Sequence, residues 1–321
     1  MARVADVMST HTSTKKGRDF RRVVTEEYES LGRFADLLKL RSLSIATQAE
    51  YMRYVRKLAG RMKCDPALLD ESQVRAHLLH LKSAYHYSPS SMRTAVSAMR
   101  GFYGKLLGQD WKLFDLVRCP DRRKLPVVLT RAEVARLFGV IHEPRFRMIV
   151  RLIYACGLRI SEATTLEVGD IKREPLRLHL HRTKGEKERF VPLPESVGEE
   201  LRAWWRTHRH PRFLFPGVGR GWREGPGARE RLSRAPEPMG IGSIQHCLRL
   251  AVPEARLPAG TSAHTLRHSY ATHMLEQGVS IRLISAYLGH SSIETTAIYT
   301  HLTAVNEQGA RAAASRLMHG I

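Results

Sequence analysis

The chain has 321 residues, 43% hydrophobic and 26% charged, a composition that can bury the cores of two domains and argues against a disordered protein. Its 52 lysines and arginines outnumber 31 aspartates and glutamates. The net charge of +21 favours a polyanionic partner: nucleic acid, or alternatively a ribosome or an anionic membrane surface. No apolar run reaches about 18 residues and no CxxC pair occurs, which argues against a transmembrane helix and a cysteine-based framework.

The first 25 residues are polar and basic and show little periodicity, so we expect residues 1–25 to form a flexible arm. Apolar residues then recur at helical spacing in four segments, which predicts a four-helix bundle over residues 26–112. The apolar positions are Leu31, Phe34 and Leu38; Tyr51, Tyr54, Val55 and Leu58; Val74, Leu78 and Leu81; and Met92, Val96, Met99, Tyr103 and Leu106. Asp70 before Gln73, and Ser88 before Pro89, predict the starts of the third and fourth helices.

Residues 113–128 are predicted to link this bundle to a second domain. The segment CPDRRKLPVV, which ends at Val128, contains two prolines and three consecutive basic residues, the composition of an extended linker.

The second domain is predicted to span residues 129–304 and to be mainly helical. Thr130, three residues before Glu133, has the spacing of a capping box and predicts a helix to about residue 142. A longer apolar helix is predicted from 145 to 156, and Gly157 ends it.

One hairpin and one loop are also predicted in this domain. Segments 176–181 and 189–193 alternate in polarity around a polar turn with glycine, which is typical of a β-hairpin. The run at 217–242 is rich in glycine, arginine and proline, so we expect an irregular basic loop there.

Five short segments of the second domain form an ordered set. They are GLRISEA at 157–163, TKGEKER at 183–189, HTLRH at 264–268, LGHSS at 288–292 and AIYTH at 297–301. In order and spacing they resemble the catalytic motifs of the tyrosine recombinase (phage integrase) family, most closely its Xer-like, simple integrase branch. The resemblance implies a mainly α protein: an N-terminal four-helix SAM-like core-binding bundle, and a mixed, mostly α catalytic domain with a small antiparallel sheet. This is the DNA breaking-rejoining enzyme fold.

The resemblance also assigns the residues of the active site. The catalytic residues it implies are Arg159, Lys184, His264, Arg267, His290 and the nucleophile Tyr299, with Glu162 in a supporting role. These residue types suit the chemistry, because attack on a phosphodiester builds negative charge on its non-bridging oxygens and two guanidinium groups can bind them. A phenol with a pKa near 10 is activated by a cationic site. Lys184 is expected to protonate the departing 5′-oxygen, with Lys187 on the same turn as the alternative.

A zinc site is the competing interpretation of His264, His268 and His273, since HxxxH places two imidazoles on one face of a helix. The glutamate of an HExxH motif is absent and Arg267 would lie against the cation. We therefore expect no metal and no nucleotide cofactor.

Double-stranded DNA is the partner that the resemblance implies. Four protomers would hold two DNA sites and exchange strands pairwise, and the free protein would be mostly monomeric. The tail at 305–321 carries a small apolar stripe; in the family such a tail docks on a neighbouring protomer, whereas packing on its own domain is the alternative. We expect a cytoplasmic, nucleoid-associated protein that does not act on membranes.

Two other functions remain open at this point. A type IB topoisomerase shares the chemistry but rejoins the same strand after rotation, and a non-catalytic DNA-binding regulator can be built on the same fold. The sequence leaves open the DNA target, accessory proteins and whether the reaction is integration, excision, dimer resolution or transposition.

Overall fold

A computed structural model describes residues 28–120, 126–181, 188–218, 227–290, 292 and 294–297. The chain divides into two compact units, Met1–Arg123 and Lys124–Ile321. Both are mainly helical, as predicted. The predicted basic arm and the predicted C-terminal tail lie outside the described residues. Within the described ranges, no helix combines the length and apolarity needed to cross a membrane.

The first unit contains the four predicted helices. They are α1 (Glu29–Leu40), α2 (Ile45–Met62), α3 (Glu71–Ser83) and α4 (Pro89–Met99), and α4 continues into a π-helical stretch, Arg100–Leu106. Asp70 and Gln73 form the predicted capping box of α3. The hydroxyl of Ser88 accepts from the backbone N–H of Ser91 at the start of α4, so both predicted helix starts are confirmed.

The apolar faces of these helices meet in one core that aromatic rings dominate. Phe34 and Phe102 pack edge to face with their centroids 5.3 Å apart, and Tyr103 stacks on Trp111 at 4.5 Å. The buried hydroxyl of Tyr103 donates to the carbonyl oxygen of Pro66 at 2.8 Å, which satisfies it in the apolar interior.

The segment predicted as a linker begins inside the first unit. Its start folds as the short helix α5 (Leu113–Leu116), and Leu113 and Phe114 are buried in the aromatic core. Residues 121–125 lie outside the described residues.

The second unit is arranged around two largely buried helices that pack against each other. Its described helices are α6 (Arg131–Val140), α7 (Pro144–Cys156), α8 (Ile160–Thr165), α9 (Glu195–His208), α10 (Ala228–Ser233), α11 (Ile241–Glu254), α12 (Ala263–Glu276), α13 (Ile281–Leu288) and α14 (Glu294–Ala297). The predicted capping box of Thr130 and Glu133 starts α6. Helix α7 packs against α9 and α12, and Ile149, Leu152 and Ile153 on it are fully buried.

A three-stranded antiparallel sheet lies beside these helices. Strands β1 (Ile171–Lys172), β2 (Arg177–Leu180) and β3 (Arg189–Pro192) follow one another in that order, and β2 and β3 are the predicted hairpin strands. Strand β1 was not predicted, because two residues are too short to show alternation. The hairpin turn at 182–187 lies outside the described residues.

The expectation of an irregular loop over the whole of 217–242 was wrong. Helix α10 lies inside this stretch, and α11 begins at its end. Leu232 is buried and anchors α10, while the surrounding glycines and prolines concealed a six-residue run of helix-forming residues. Residues 219–226 lie outside the described residues.

Candidate active site

The turn between α7 and α8 places Arg159 at the start of α8. Gly157 has a φ of +62°, and a Cβ there would lie 2.5 Å from Cδ1 of Tyr270, so this turn requires glycine. Arg159 is the N-cap residue of α8, and its backbone N–H donates to the carboxylate of Glu162 at 2.8 Å. Glu162 therefore caps its own helix and faces Arg159.

Glu162 is buried among three arginines, with 4% of its side chain exposed. Its carboxylate accepts from Nη1 of Arg159 at 3.0 Å and from Nη2 of Arg189 at 2.7 and 2.8 Å, and Nη1 of Arg267 lies 4.0 Å away. Burial by itself would raise the pKa of Glu162. The charge of Arg189 and the hydrogen bonds from Arg159 and Arg189 outweigh that effect, so the pKa is lowered. Glu162 is therefore ionised at neutral pH and compensates part of the positive charge of Arg159, Arg189 and Arg267. We call these three arginines and Glu162 the cluster.

The same three arginines converge on the carboxyl end of α13, which we define as residues 287–289. Each donates to a different carbonyl oxygen there: Arg189 Nε to Tyr287 at 2.8 Å, Arg267 Nη2 to Leu288, and Arg159 Nη2 to Gly289 at 3.2 Å. The last carbonyls of a helix have no partner within it and carry its negative partial charge. Cations bound there are stabilised and also held in fixed positions.

Glycine at position 289 lets Arg189 come this close to the carboxyl end of α13. Gly289 has a φ of +64°, and a Cβ on it would lie 2.9 Å from Nη1 of Arg189. Nη1 of Arg267 donates to the carbonyl oxygen of Gly157 at 2.9 Å, which ties α12 to the turn before α8. Gly289 thus makes room for Arg189, whereas Gly157 makes room for neighbouring side chains of α12 and α13.

His264 and His290 lie beside the two predicted phosphate-binding arginines. His264 is one turn before Arg267 on α12; burial and the charges of Arg267 and Arg159 lower its pKa. Burial and the same two charges lower the pKa of His290 to about 4. Both imidazoles are therefore neutral at pH 7 and can act through hydrogen bonds. Nδ1 of His290 lies 2.8 Å from the hydroxyl of buried Thr296, which fixes the ring.

The structure brings five of the seven predicted site residues into one region of the second unit: Arg159, Glu162, His264, Arg267 and His290. Tyr299 and Lys184 lie outside the described residues, as does Lys187. Their roles stay predictions, and so do the catalytic roles of the other five.

The histidines of the competing zinc interpretation have other contacts. Nδ1 of His273 is hydrogen-bonded to the hydroxyl of Tyr154 at 2.8 Å, a packing role that joins α12 to α7. Burial, followed by the proximity of His264 and Arg267, lowers the pKa of His268 to about 4.

Two residues of this site, Arg189 and Thr296, were not predicted from the sequence. Arg189 lies on the same buried face of β3 as Val191 and alternates with exposed Phe190, and a charge on the buried face of a strand signals a buried partner. Thr296 carried no comparable signal, because it is one of two consecutive threonines before the AIYTH motif and nothing in the sequence distinguishes it.

The phage integrase family matches residues 127–305 of this sequence, more than half of the chain. The chain belongs to this family. The N-terminal SAM-like domain of phage integrases matches residues 31–113. This protein is therefore a tyrosine recombinase, a DNA strand transferase of site-specific recombination, as predicted.

Relatives of this recombinase match most of its length. An integrase/recombinase from Escherichia coli is 34% identical over 298 residues, which cover 84% of this chain and 88% of the relative. The tyrosine recombinase XerA of Thermococcus kodakarensis is 32% identical over 286 residues, covering 87% and 93%. A solved lambda integrase tetramer bound to a Holliday junction has a TM-score of 0.65 at 16% identity, covering 84% of this chain and 76% of that one, which shows a shared fold.

We predict that Glu162→Gln destabilises the protein by about 3 kcal/mol at pH 7, because it leaves two buried guanidinium groups and one partly exposed guanidinium group without their carboxylate. Glu200→Gln is the matched control: it removes the partner of Arg151, a pair that is about one third exposed, and should cost under about 1 kcal/mol. Urea unfolding at pH 7 measures both changes. Equal losses in the two variants would contradict the charge-compensating role of Glu162.

Proposed function

We propose that this recombinase cuts and rejoins double-stranded DNA through a 3′-phosphotyrosyl intermediate, with Arg159 and Arg267 binding the scissile phosphate. One observation carries this proposal: both arginines donate to neighbouring carbonyls at the carboxyl end of α13, with Glu162 beside them. Guanidinium groups held in this way need no reorganisation when charge develops on the phosphate. Arginine also keeps its charge at any working pH and can bind phosphate through two N–H groups.

In the proposed reaction the phenolic oxygen of Tyr299 attacks phosphorus and the bond from phosphorus to the 5′-oxygen breaks. The products are a 3′-phosphotyrosine and a free 5′-hydroxyl. The 5′-hydroxyl of the partner duplex then attacks the phosphotyrosine and releases Tyr299, so the number of phosphodiester bonds is conserved and no nucleotide is consumed. His264 and His290 act as hydrogen-bonding groups at the phosphate.

Lys184 is the proposed general acid, which delivers a proton to the departing 5′-oxygen. An ammonium group near guanidinium charges has a lowered pKa and gives up its proton more readily. Strand β3, which follows the hairpin turn, is tied to Glu162 and α13 through Arg189, and this supports a fixed approach of the hairpin to the phosphate.

We also propose that the protein acts as a tetramer on two DNA sites and is mostly monomeric when free. The lambda integrase tetramer on a Holliday junction, which shares this fold, supports the arrangement. The net charge of +21 supports an extended contact with DNA. We propose that this contact takes place in the cytoplasm, in association with the nucleoid.

The first test of the function is covalent capture of DNA. The wild-type protein, incubated with sheared genomic DNA of its source organism and then denatured, should retain covalently attached fragments that share one recurring sequence. Tyr299→Phe should retain none, yet bind a duplex of that sequence within about twofold of wild type, since its hydroxyl acts in the transition state. Sequencing of the attached ends maps the site.

Three results would separate the rival functions. DNA binding without any adduct from wild-type protein would favour a regulator. Relaxation of a supercoiled plasmid carrying the mapped site, without recombinant products, would favour a topoisomerase. An adduct that survives in Tyr299→Phe would mean that another residue is the nucleophile.

The second test distinguishes the two hairpin lysines. Lys184→Ala should slow cleavage of a mapped-site duplex about 100-fold or more, because general acid catalysis is lost. A duplex with sulfur in place of the scissile 5′-oxygen releases a thiolate, which needs no proton, so it should restore the rate of Lys184→Ala. Lys187→Ala is the matched control and should cleave the oxygen duplex normally. The reverse pattern would assign the proton to Lys187.

A further inference from the structure

The proposed binding of the phosphate by Arg159 and Arg267 does not explain why a third arginine, Arg189, lies in the cluster. Arg189 donates to Glu162 and to the carboxyl end of α13, as Arg159 does, whereas Arg267 donates to that helix end and lies 4.0 Å from Glu162. Those two arginines come from the N-cap of α8 and from α12, whereas Arg189 comes from the sheet. The cluster therefore contains one more guanidinium than the two that the proposed function assigns to the phosphate.

Arg189 lies on the buried face of the hairpin. It pairs with Leu180 of β2, shares the buried face of β3 with Val191, and is itself 8% exposed. A cation in such a place costs several kcal/mol of desolvation unless a partner compensates it. Glu162 is that partner, since Nη2 of Arg189 lies 2.7 and 2.8 Å from its two oxygens.

The contact with Arg189 is the shortest that the Glu162 side chain makes within the cluster. Nη1 of Arg159 lies 3.0 Å from the same carboxylate, and Nη1 of Arg267 lies 4.0 Å from it. The backbone N–H of Arg159 also donates to this carboxylate at 2.8 Å, so Arg189 and the helix cap together set its position. Because Nε of the planar Arg189 guanidinium bonds to the carboxyl end of α13, one rigid side chain joins α8, α13 and β3.

We propose that Arg189 is a positioning residue: it fixes Glu162 against the carboxyl end of α13 and thereby holds Arg159 and Arg267 at the spacing that a DNA phosphate requires. Arg189 stays on the carboxylate and does not bind the phosphate. Its effect falls on the rate of cleavage rather than on DNA affinity, since a displacement of about 1 Å in a catalytic group costs about 100-fold. This inference rests on the proposed function for its consequence in catalysis.

Arg189→Lys is the informative variant, because lysine keeps the charge but loses the planar fork that reaches Glu162 and α13 together. Arg151→Gln is the matched control: Arg151 forms an ion pair with Glu200 between α7 and α9 in the same unit. Any general effect of losing an arginine–glutamate pair should appear in this control as well.

The first readout is the NMR signal of the arginine Nε–H groups, which needs no activity. In protein labelled with ¹⁵N-arginine, the signals of Arg159 and Arg267 should shift and broaden in Arg189→Lys and stay unchanged in Arg151→Gln. Unchanged signals in Arg189→Lys would overturn the proposal. A wild-type protein that forms no DNA adduct would overturn the proposed function, while these spectra would still decide whether Arg189 positions the two arginines.

The second readout is single-turnover cleavage of the mapped duplex at saturating concentration. Arg189→Lys should cleave about 100-fold more slowly and bind DNA within about threefold of wild type. Adding Arg189→Gln to Glu162→Gln should slow cleavage less than threefold further, because the two residues act as a unit. The proposal would be overturned if Arg189→Lys cleaved at the normal rate per active molecule, or if it lost only DNA affinity. It would also be overturned if the effects of the two substitutions on the cleavage rate multiplied in the double variant.

Discussion

A single buried carboxylate holds the active region of this recombinase together. Glu162 lies within hydrogen-bonding or ion-pair distance of three guanidinium groups, and without it these charges would repel one another in a poorly solvated site. Its negative charge and the partial charge at the carboxyl end of α13 compensate only part of the cluster's positive charge. The positive charge that remains favours the binding of an anion, such as the scissile phosphate of the proposed function. The cluster is therefore stabilised without losing its attraction for an anion.

The fold delivers these groups from distant parts of the chain to one helix end. The N-cap of α8, the start of β3 and the middle of α12 each supply one arginine, and all three bond to consecutive carbonyls of α13. Gly289 leaves room for Arg189 in this approach, and Gly157 leaves room for side chains of α12 and α13 beside the cluster. The short helix α14 is tied to the same place, since Thr296 holds His290, and Tyr299 follows two residues after the last described residue.

The sequence predicts most of the helices and five of the residues that the structure brings together in the site. The features that it does not predict depend on contacts between distant parts of the chain. Capping pairs such as Asp70 with Gln73 act within one turn, so local sequence reveals them. The partnership of Arg189 with Glu162 joins residues 27 apart, and only the alternation on β3 hints at it. Helix α10 was hidden because burial of Leu232, a tertiary contact, stabilises it amid glycines and prolines.

A crystal structure of Tyr299→Phe bound to its mapped DNA site would show whether Arg159 and Arg267 are prearranged for one phosphate. We expect both arginines to donate to the non-bridging oxygens of the scissile phosphate and Arg189 to remain on Glu162. A phosphate bound by neither or by only one of Arg159 and Arg267, or an Arg189 that binds the DNA instead of the carboxylate, would refute this arrangement.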